Sequence, residues 1–331
     1  MQRAPLAVVA AALALIVAVL LAVAFGTEPV SLFRALGDAD SIDRAIVFEA
    51  RLPRVLLGVV AGGGLAMVGV AFQALLRNPL AEPFVLGVSG GAALGATIVI
   101  LAGVTAATFL GASVVPLGAL VGGLTATAMV YGISSTGASR TATSMLLAGV
   151  VVNYVASAAI TFLKMLVSAS KAQEVLFWLV GFLDVPSRGA LFFVALYVAV
   201  GAAALLRDAG RLNLLALGDE SAQHLGVDVR ALERRTFLAC SFIVGAIVSV
   251  TGLIGFVGLV VPHALRRVFG PDTRVILPAS FFAGGATLVL CDLVSRALFR
   301  WLHTEPPVGA VTALLGGPVF LVLLRRRAAT G

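Results

Sequence analysis

The sequence predicts an all-α membrane protein with about ten transmembrane helices. Three observations carry that expectation: the composition, the length of the apolar runs, and the sides on which the arginines fall. Sixty per cent of the 331 residues are apolar, 12% are charged, and the mean hydropathy is +1.09. A soluble domain carries about 25% charged residues, so this chain cannot cover its surface with polar groups. No residue from Pro83 to Ser139 is charged, and a bilayer span needs about 20 apolar residues. The net charge of +7 reads as the arginine excess of cytoplasmic loops rather than a nucleic-acid surface. Cys240 and Cys291 both lie in apolar segments and read as small hydrophobes, not as a disulfide or metal pair.

Charged residues and breakers divide the chain into ten candidate spans, near 5–25, 54–76, 84–103, 112–134, 141–163, 189–206, 236–251, 253–265, 275–298 and 307–324. The first run has a signal-peptide rival in Ala22-Val23-Ala24, but it exceeds the 7–15 residues of a signal-peptide core. It is expected to be retained as a helix. Thr236–Leu265 is ambiguous, because thirty uncharged residues are long for one helix and short for two. Charge placement arbitrates. With the N-terminus inside and two crossings there, fourteen Arg and Lys lie inside and nine outside; with one crossing the split is ten against thirteen. The positive-inside rule selects two crossings and places both termini in the cytoplasm. Gly252, Gly255 and Gly258 offer a place to break. Val175–Leu183, too short to span, is expected to form a short helix at the outer face.

Spans 2–5 and 7–10 are candidate repeat units. Their offset of five is odd, so equivalent helices would cross in opposite senses, as in inverted-repeat transporters. Proline breaks are expected in both, at Asn78-Pro79 through Pro83 and at Val261-Pro262-His263. The chain is read as one permease domain over residues 1–331, with its longest cytoplasmic loop at 207–235.

Several chemistries find no support. A P-loop needs Gly-x-x-x-x-Gly-Lys-Ser/Thr, and the two lysines, Lys164 and Lys171, lie in no such motif. His224, His263 and His303 are far apart, and no metal or cofactor site is expected. Asp292 is the one acid well inside a span, whereas an ion-coupled carrier places ionisable groups at mid-membrane. Energy is therefore expected from a separate subunit. A secondary carrier is the mechanistic alternative, and a membrane-embedded enzyme ranks last.

The block Arg51-Leu52-Pro53-Arg54 leads into Gln73-Ala74-Leu75-Leu76-Arg77-Asn78-Pro79-Leu80-Ala81-Glu82-Pro83 and on to Gly87-Val88-Ser89-Gly90-Gly91. Leu147-Ala148-Gly149, Leu217-Gly218-Asp219-Glu220 with Leu225-Gly226-Val227, Gly252 through His263, Glu305-Pro306-Pro307-Val308-Gly309 and Gly316-Gly317-Pro318 follow in order. This series resembles the FecCD permease family, the membrane subunits of bacterial ATP-binding-cassette importers for iron-siderophores, haem and cobalamin. The resemblance implies an inverted-repeat type II importer permease of the inner membrane, working as a homodimer with two cytoplasmic ATPase subunits and an outer substrate-binding protein. It implies no enzyme activity of its own, with an iron-siderophore or haem as the leading cargo and cobalamin as the alternative.

The resemblance also assigns three sites. Arg51, Arg54 and Arg296 match arginines that receive the binding protein's carboxylates, a role suited to the planar guanidinium fork. Snorkelling to lipid headgroups is the plain alternative, and Arg300, one turn beyond Arg296, could take its place. Gly218, Asp219, Glu220, Ala222, Leu225 and Gly226 match the helix that couples to the ATPase, against a merely solvated loop. Asn78, Leu80, Thr143 and Ser144 match the cytoplasmic gate, against ordinary helix capping.

Overall fold

The computed structural model describes residues 3–103, 108–109, 112–134, 142–185 and 187–328. Each expected span has a helix. These are α1 (Arg3–Ala24), α4 (Leu52–Leu75), α5 (Val88–Leu101), α6 (Val114–Ser134), α7 (Ala142–Met165), α9 (Arg188–Leu215), α11 (Val229–Thr251), α12 (Val257–Phe269), α13 (Thr273–Leu302) and α14 (Val308–Ala328). Between them lie the short α2 (Leu32–Gly37), α3 (Ile42–Ala45), α8 (Ala169–Val180) and α10 (Asp219–His224). A π-helical turn, Ile46–Arg51, feeds α4, and a 3-10 turn, Pro83–Leu86, precedes α5. Thr108–Phe109 and Ala112–Ser113 pair as a minimal antiparallel ribbon.

Among the described residues, seven of these helices are long and apolar enough to cross a membrane. Of the other three, α5 has 14 residues, and α14 has 21 with its apolar stretch described over Val308–Val322. At 1.5 Å per residue, the 13 residues of α12 reach about 20 Å, short of the hydrocarbon thickness of about 30 Å.

Helix α4 is the centre of the bundle. It packs on α13, α9, α11 and α12, and Leu57, Leu65, Met67 and Phe72 are fully buried. Lipid tails are as apolar as leucine, so such helices associate through close packing rather than by escaping solvent. Glycine makes the closeness possible. A Cβ on Gly62 would lie 2.3 Å from the Gly284 carbonyl oxygen of α13, and one on Gly69 only 1.7 Å from that of Gly258 in α12. The same device joins α5 to α6 at Gly91–Gly122 and Gly95–Gly118. Outer helices instead leave large apolar side chains exposed, among them Leu13 and Leu20 of α1, Tyr154 and Phe162 of α7, and Phe192 of α9.

Side-chain pairs fix the helix directions. Asp208 near the end of α9 holds Arg235 at the start of α11, with Oδ2 3.0 Å from Nε. Five residues on, Asn213 accepts the Thr273 N–H at 2.8 Å and donates to Asp272 at 2.6 Å. Residues 235 and 273 therefore lie at the same end of the bundle, and the chain between them goes out and returns as α11 and α12. Two helices occupy Thr236–Leu265, as the charge count required. The loop expected at 207–235 is mostly helical, since α9 continues to Leu215 and α11 starts at Val229. Charged residues end the apolar span there, but the Asp208 pairs with Arg211 and Arg235 let the helices run on.

The contacts support the inverted repeat. Helix α4 packs on α13 as α11 packs on α6, and α12 packs on α4 as α5 packs on α11. The second break falls at the expected glycines, and the proline break expected at Val261-Pro262-His263 does not form. Pro262 lies inside α12, and the helix is interrupted at Gly252–Phe256 instead. The carbonyl that Pro262 cannot engage, four residues back, belongs to Gly258, whose face is packed on Gly69. Short α8 is present, and beyond it Leu183 inserts against Gly58. Both cysteines are buried and unpaired.

The glycine contacts yield a direct expectation. Gly69→Val should destabilise the fold by about 3 kcal/mol or more, since overpacking against backbone cannot relax by a rotamer change. Gly37→Ala, with nothing within 4 Å of the added Cβ, should be neutral. Thermal melts followed by size-exclusion chromatography compare the two; equal melting temperatures would contradict the packing account.

Candidate functional site

At the end of the bundle opposite α10, three arginines and two acids form one network. The last carbonyls of α1 have no partner within that helix, and two guanidiniums supply donors. Arg51 Nη1 donates to the carbonyls of Val23 at 2.9 Å and Ala24 at 3.1 Å, and its Nη2 donates to that of Glu28. Arg296 donates to Ala22 at 3.1 Å and Phe25 at 3.3 Å. Positive charge at a helix C-terminus also opposes the helix dipole favourably. Both side chains are buried, Arg51 at 6% and Arg296 at 3% exposure.

Asp292 pairs with two of the three arginines. Arg54 Nε donates to its Oδ1 at 2.9 Å, and Arg296 Nε forms an ion pair with Oδ2 at 3.0 Å. Arg54 Nη1 reaches Glu305 at 2.9 Å, and the Thr27 hydroxyl donates to the same carboxylate at 2.9 Å. Burial raises the pKa of Glu305, but the charge of Arg54 and the hydrogen bonds from Arg54 and Thr27 outweigh it and hold that carboxyl below its ordinary range. Of the three expected docking arginines, Arg54 alone has a partly exposed side chain, at 24%; Arg300 is exposed. Beside Arg54 and Glu305 opens a cavity of about 590 Å³, lined also by Glu174, Trp178, Phe182 and Asp184.

At the opposite end α10 stands between two glycines with left-handed backbone, Gly218 at φ 111° and Gly226 at φ 82°. A side chain at either would meet open space, so the glycines are required by the turns and not by packing. Ala222 is fully buried and anchors the helix, while Leu217 and Leu225 project as exposed apolar groups. Asp219 pairs with Arg77 at the end of α4. The six expected coupling residues thus form one compact projection.

The expected gate turn follows α4. Asn78 Oδ1 accepts the Leu80 N–H at 2.9 Å, a side-chain turn that leaves Leu80 exposed. Ser144 lies half-buried in the first turn of α7. Thr143 precedes it in α7, with its side chain outside the described residues.

The sequence matches the FecCD transport family over residues 11–326. The chain belongs to that family. It is 42% identical to the cobalamin import system permease BtuC of Halobacterium salinarum, over 86% of this chain and 74% of that one. It is 36% identical to the hemin transport system permease HmuU of Yersinia pestis, over 89% and 88%. A solved structure described as an inward-facing conformation of a metal-chelate type transporter of the ATP-binding-cassette class superposes with a TM-score of 0.87 at 28% identity, covering 97% of this chain and 99% of that one. This FecCD protein is the membrane-spanning permease subunit of an importer; ATP hydrolysis belongs to a separate subunit, and a binding protein works with it.

Two polar contacts of this FecCD permease have little or no signature in the sequence. Asn153, in the middle of α7, donates to the Phe84 carbonyl at 2.7 Å and accepts the Gly90 N–H at 3.1 Å. It thereby satisfies backbone of the 3-10 turn and of the first turn of α5, where the interrupted helix cannot. Arg266 donates to Gln73 Oε1 and to the Val70 carbonyl at 2.9 Å, closing the end of α4. A lone Asn in an apolar run is the available signal for Asn153. Nothing in the sequence distinguishes Arg266 from an ordinary loop arginine.

Asp292→Ala in the FecCD permease should cost about 3–5 kcal/mol, because it strands the buried Arg296 charge without its counter-ion. The exposed neighbour Arg300→Ala should stay within about 0.5 kcal/mol. Melting temperatures of the purified variants decide, and a similar value for both would refute the network's structural role.

Proposed function

We propose that this permease imports a metal held in a tetrapyrrole-like macrocycle, a corrinoid or haem. The observation that carries this reading is the 42% identity to a cobalamin import permease, followed by a hemin permease at 36%. Both cargoes hold their metal through the four nitrogens of a tetrapyrrole-derived ring, whereas ferric siderophores hold iron through oxygen donors.

The subunit acts as a single permease domain over residues 1–331 and as a homodimer in the cell membrane. Its α10 end and both termini face the cytoplasm. The excess of arginine at that end supports this orientation. Gly218 to Gly226 insert α10 into the ATPase, with Leu217 and Leu225 as the apolar contacts. Asn78, Leu80, Thr143 and Ser144 form the gate facing the ATPase. Arg51, Arg54 and Arg296 receive the binding protein at the outer face. Arg54 makes the direct contact by exchanging Glu305 for a partner carboxylate, and Arg51 and Arg296 hold the rim that presents it.

The test is uptake into proteoliposomes holding the permease with its ATPase, supplied with the binding protein. Labelled cyanocobalamin or hemin should accumulate with ATP, and Asp219→Lys with Glu220→Lys should lower accumulation at least tenfold. Accumulation of ferric siderophore in place of both macrocycles would overturn the cargo reading, and wild-type uptake in the double variant would remove α10 from coupling.

A further inference from the structure

The two breaks of the inverted repeat touch each other through one carboxylate. Glu82, between the turn Asn78–Leu80 and the 3-10 turn before α5, accepts the Phe256 N–H at 2.7 Å. Phe256 immediately precedes α12, whose first N–H groups have no acceptor within the helix. A carboxylate from another segment thus holds the N–H of the residue that opens α12, where negative charge also suits the helix dipole. Phe256 itself supplies no side-chain cap.

Phe256 is held in an unusual state. Its φ of 69° lies in the left-handed region, which a bulky residue adopts only when its surroundings enforce it. The Glu82 bond fixes its N–H. On the other side its side chain lies against α14, where a Cβ on Gly316 would come within 2.6 Å of Phe256 Cβ. A cavity of about 280 Å³ among α12, α13 and α14, lined by Phe256, Val260, Cys291, Thr312 and Leu315, leaves α14 room to shift. Beneath Phe256, the Pro83 ring lies on Gly258, and Gln73 donates to the Leu259 carbonyl at 3.4 Å. One short path thus runs from the turn after α4, through Glu82 and Phe256, to α14.

We propose that Glu82 is a positioning residue for transport: it ties the Asn78–Leu80 turn of the first repeat to α14 of the second, so that both move together in each cycle. A hydrogen bond to a carboxylate is stronger than a neutral one, and a bond between discontinuous segments is the kind of contact a hinge can keep while the helices tilt. This rests on the importer reading and deepens the gate assignment.

The experiment measures cargo transported per ATP hydrolysed by the assembled complex in proteoliposomes, with whichever of hemin, cyanocobalamin or ferric citrate the wild type accumulates. Glu82→Gln keeps an acceptor and should hold that ratio within twofold. Glu82→Ala should lower it at least tenfold while hydrolysis stays within threefold. Gly316→Ala, which displaces Phe256 from the other side, should uncouple in the same way. A purely structural role would lower assembly or melting temperature and leave the ratio unchanged in the complexes that form. A wild-type ratio in Glu82→Ala, equal impairment of Gln and Ala, or loss of assembly in Glu82→Ala would each overturn the proposal. Normal coupling in Asn78→Ala and Leu80→Ala with loss in Glu82→Ala would refute the gate assignment and leave the role of Glu82 standing.

Discussion

Backbone meets backbone in this bundle, and the rest of the molecule is arranged around that closeness. Gly62 against Gly284 and Gly69 against Gly258 bring α13 and α12 onto α4 at distances that no Cβ would permit. Because association in lipid gains little from apolar side chains alone, these approaches set where the helices lie. They also place the start of α12 at the depth of Leu65 and Gly69, well inside the bundle. A short helix that starts there needs its N–H groups satisfied by protein, since lipid offers no acceptor.

The polar side chains inside the bundle answer that need one by one. Asn153 holds the 3-10 turn against the start of α5, Glu82 holds the residue that opens α12, and Arg266 with Gln73 closes the end of α4. At the far end Arg51 and Arg296 cap α1, and Asp292 pairs with Arg296 and Arg54. Asp292 is thus committed to two guanidiniums and is not available as a mid-membrane ion-binding acid. Among the described residues no group of three or more His, Cys, Asp or Glu could hold a metal ion. A scaffold whose interior charges are held by ion pairs or by backbone and amide hydrogen bonds suits a subunit that is moved by an attached ATPase.

Much of this was legible in the sequence. Apolar runs located all ten helices, because the composition of a lipid-facing segment is close to a direct readout of its environment. Arginine placement resolved Thr236–Leu265 into two helices, and the α9 contacts to Arg235 and Thr273 agree. The second break was legible in its glycines, at Gly252–Phe256, and not in its proline, since Pro262 is accommodated within α12. The arginine sites show a different limit. Sequence places Arg51, Arg54 and Arg296 at one end, but it cannot tell that two of them turn inward to the carbonyls of residues 22–25, a segment distant in the chain. Long-range capping has no local signature.

The central claim is that this chain is a passive path opened by an ATPase. Proteoliposomes containing the permease alone, then with its ATPase, then with the binding protein as well, test it most directly under an imposed proton or sodium gradient and under ATP. The account predicts accumulation only when all components and ATP are present, with no response to either gradient. Gradient-driven accumulation by the permease alone would contradict it.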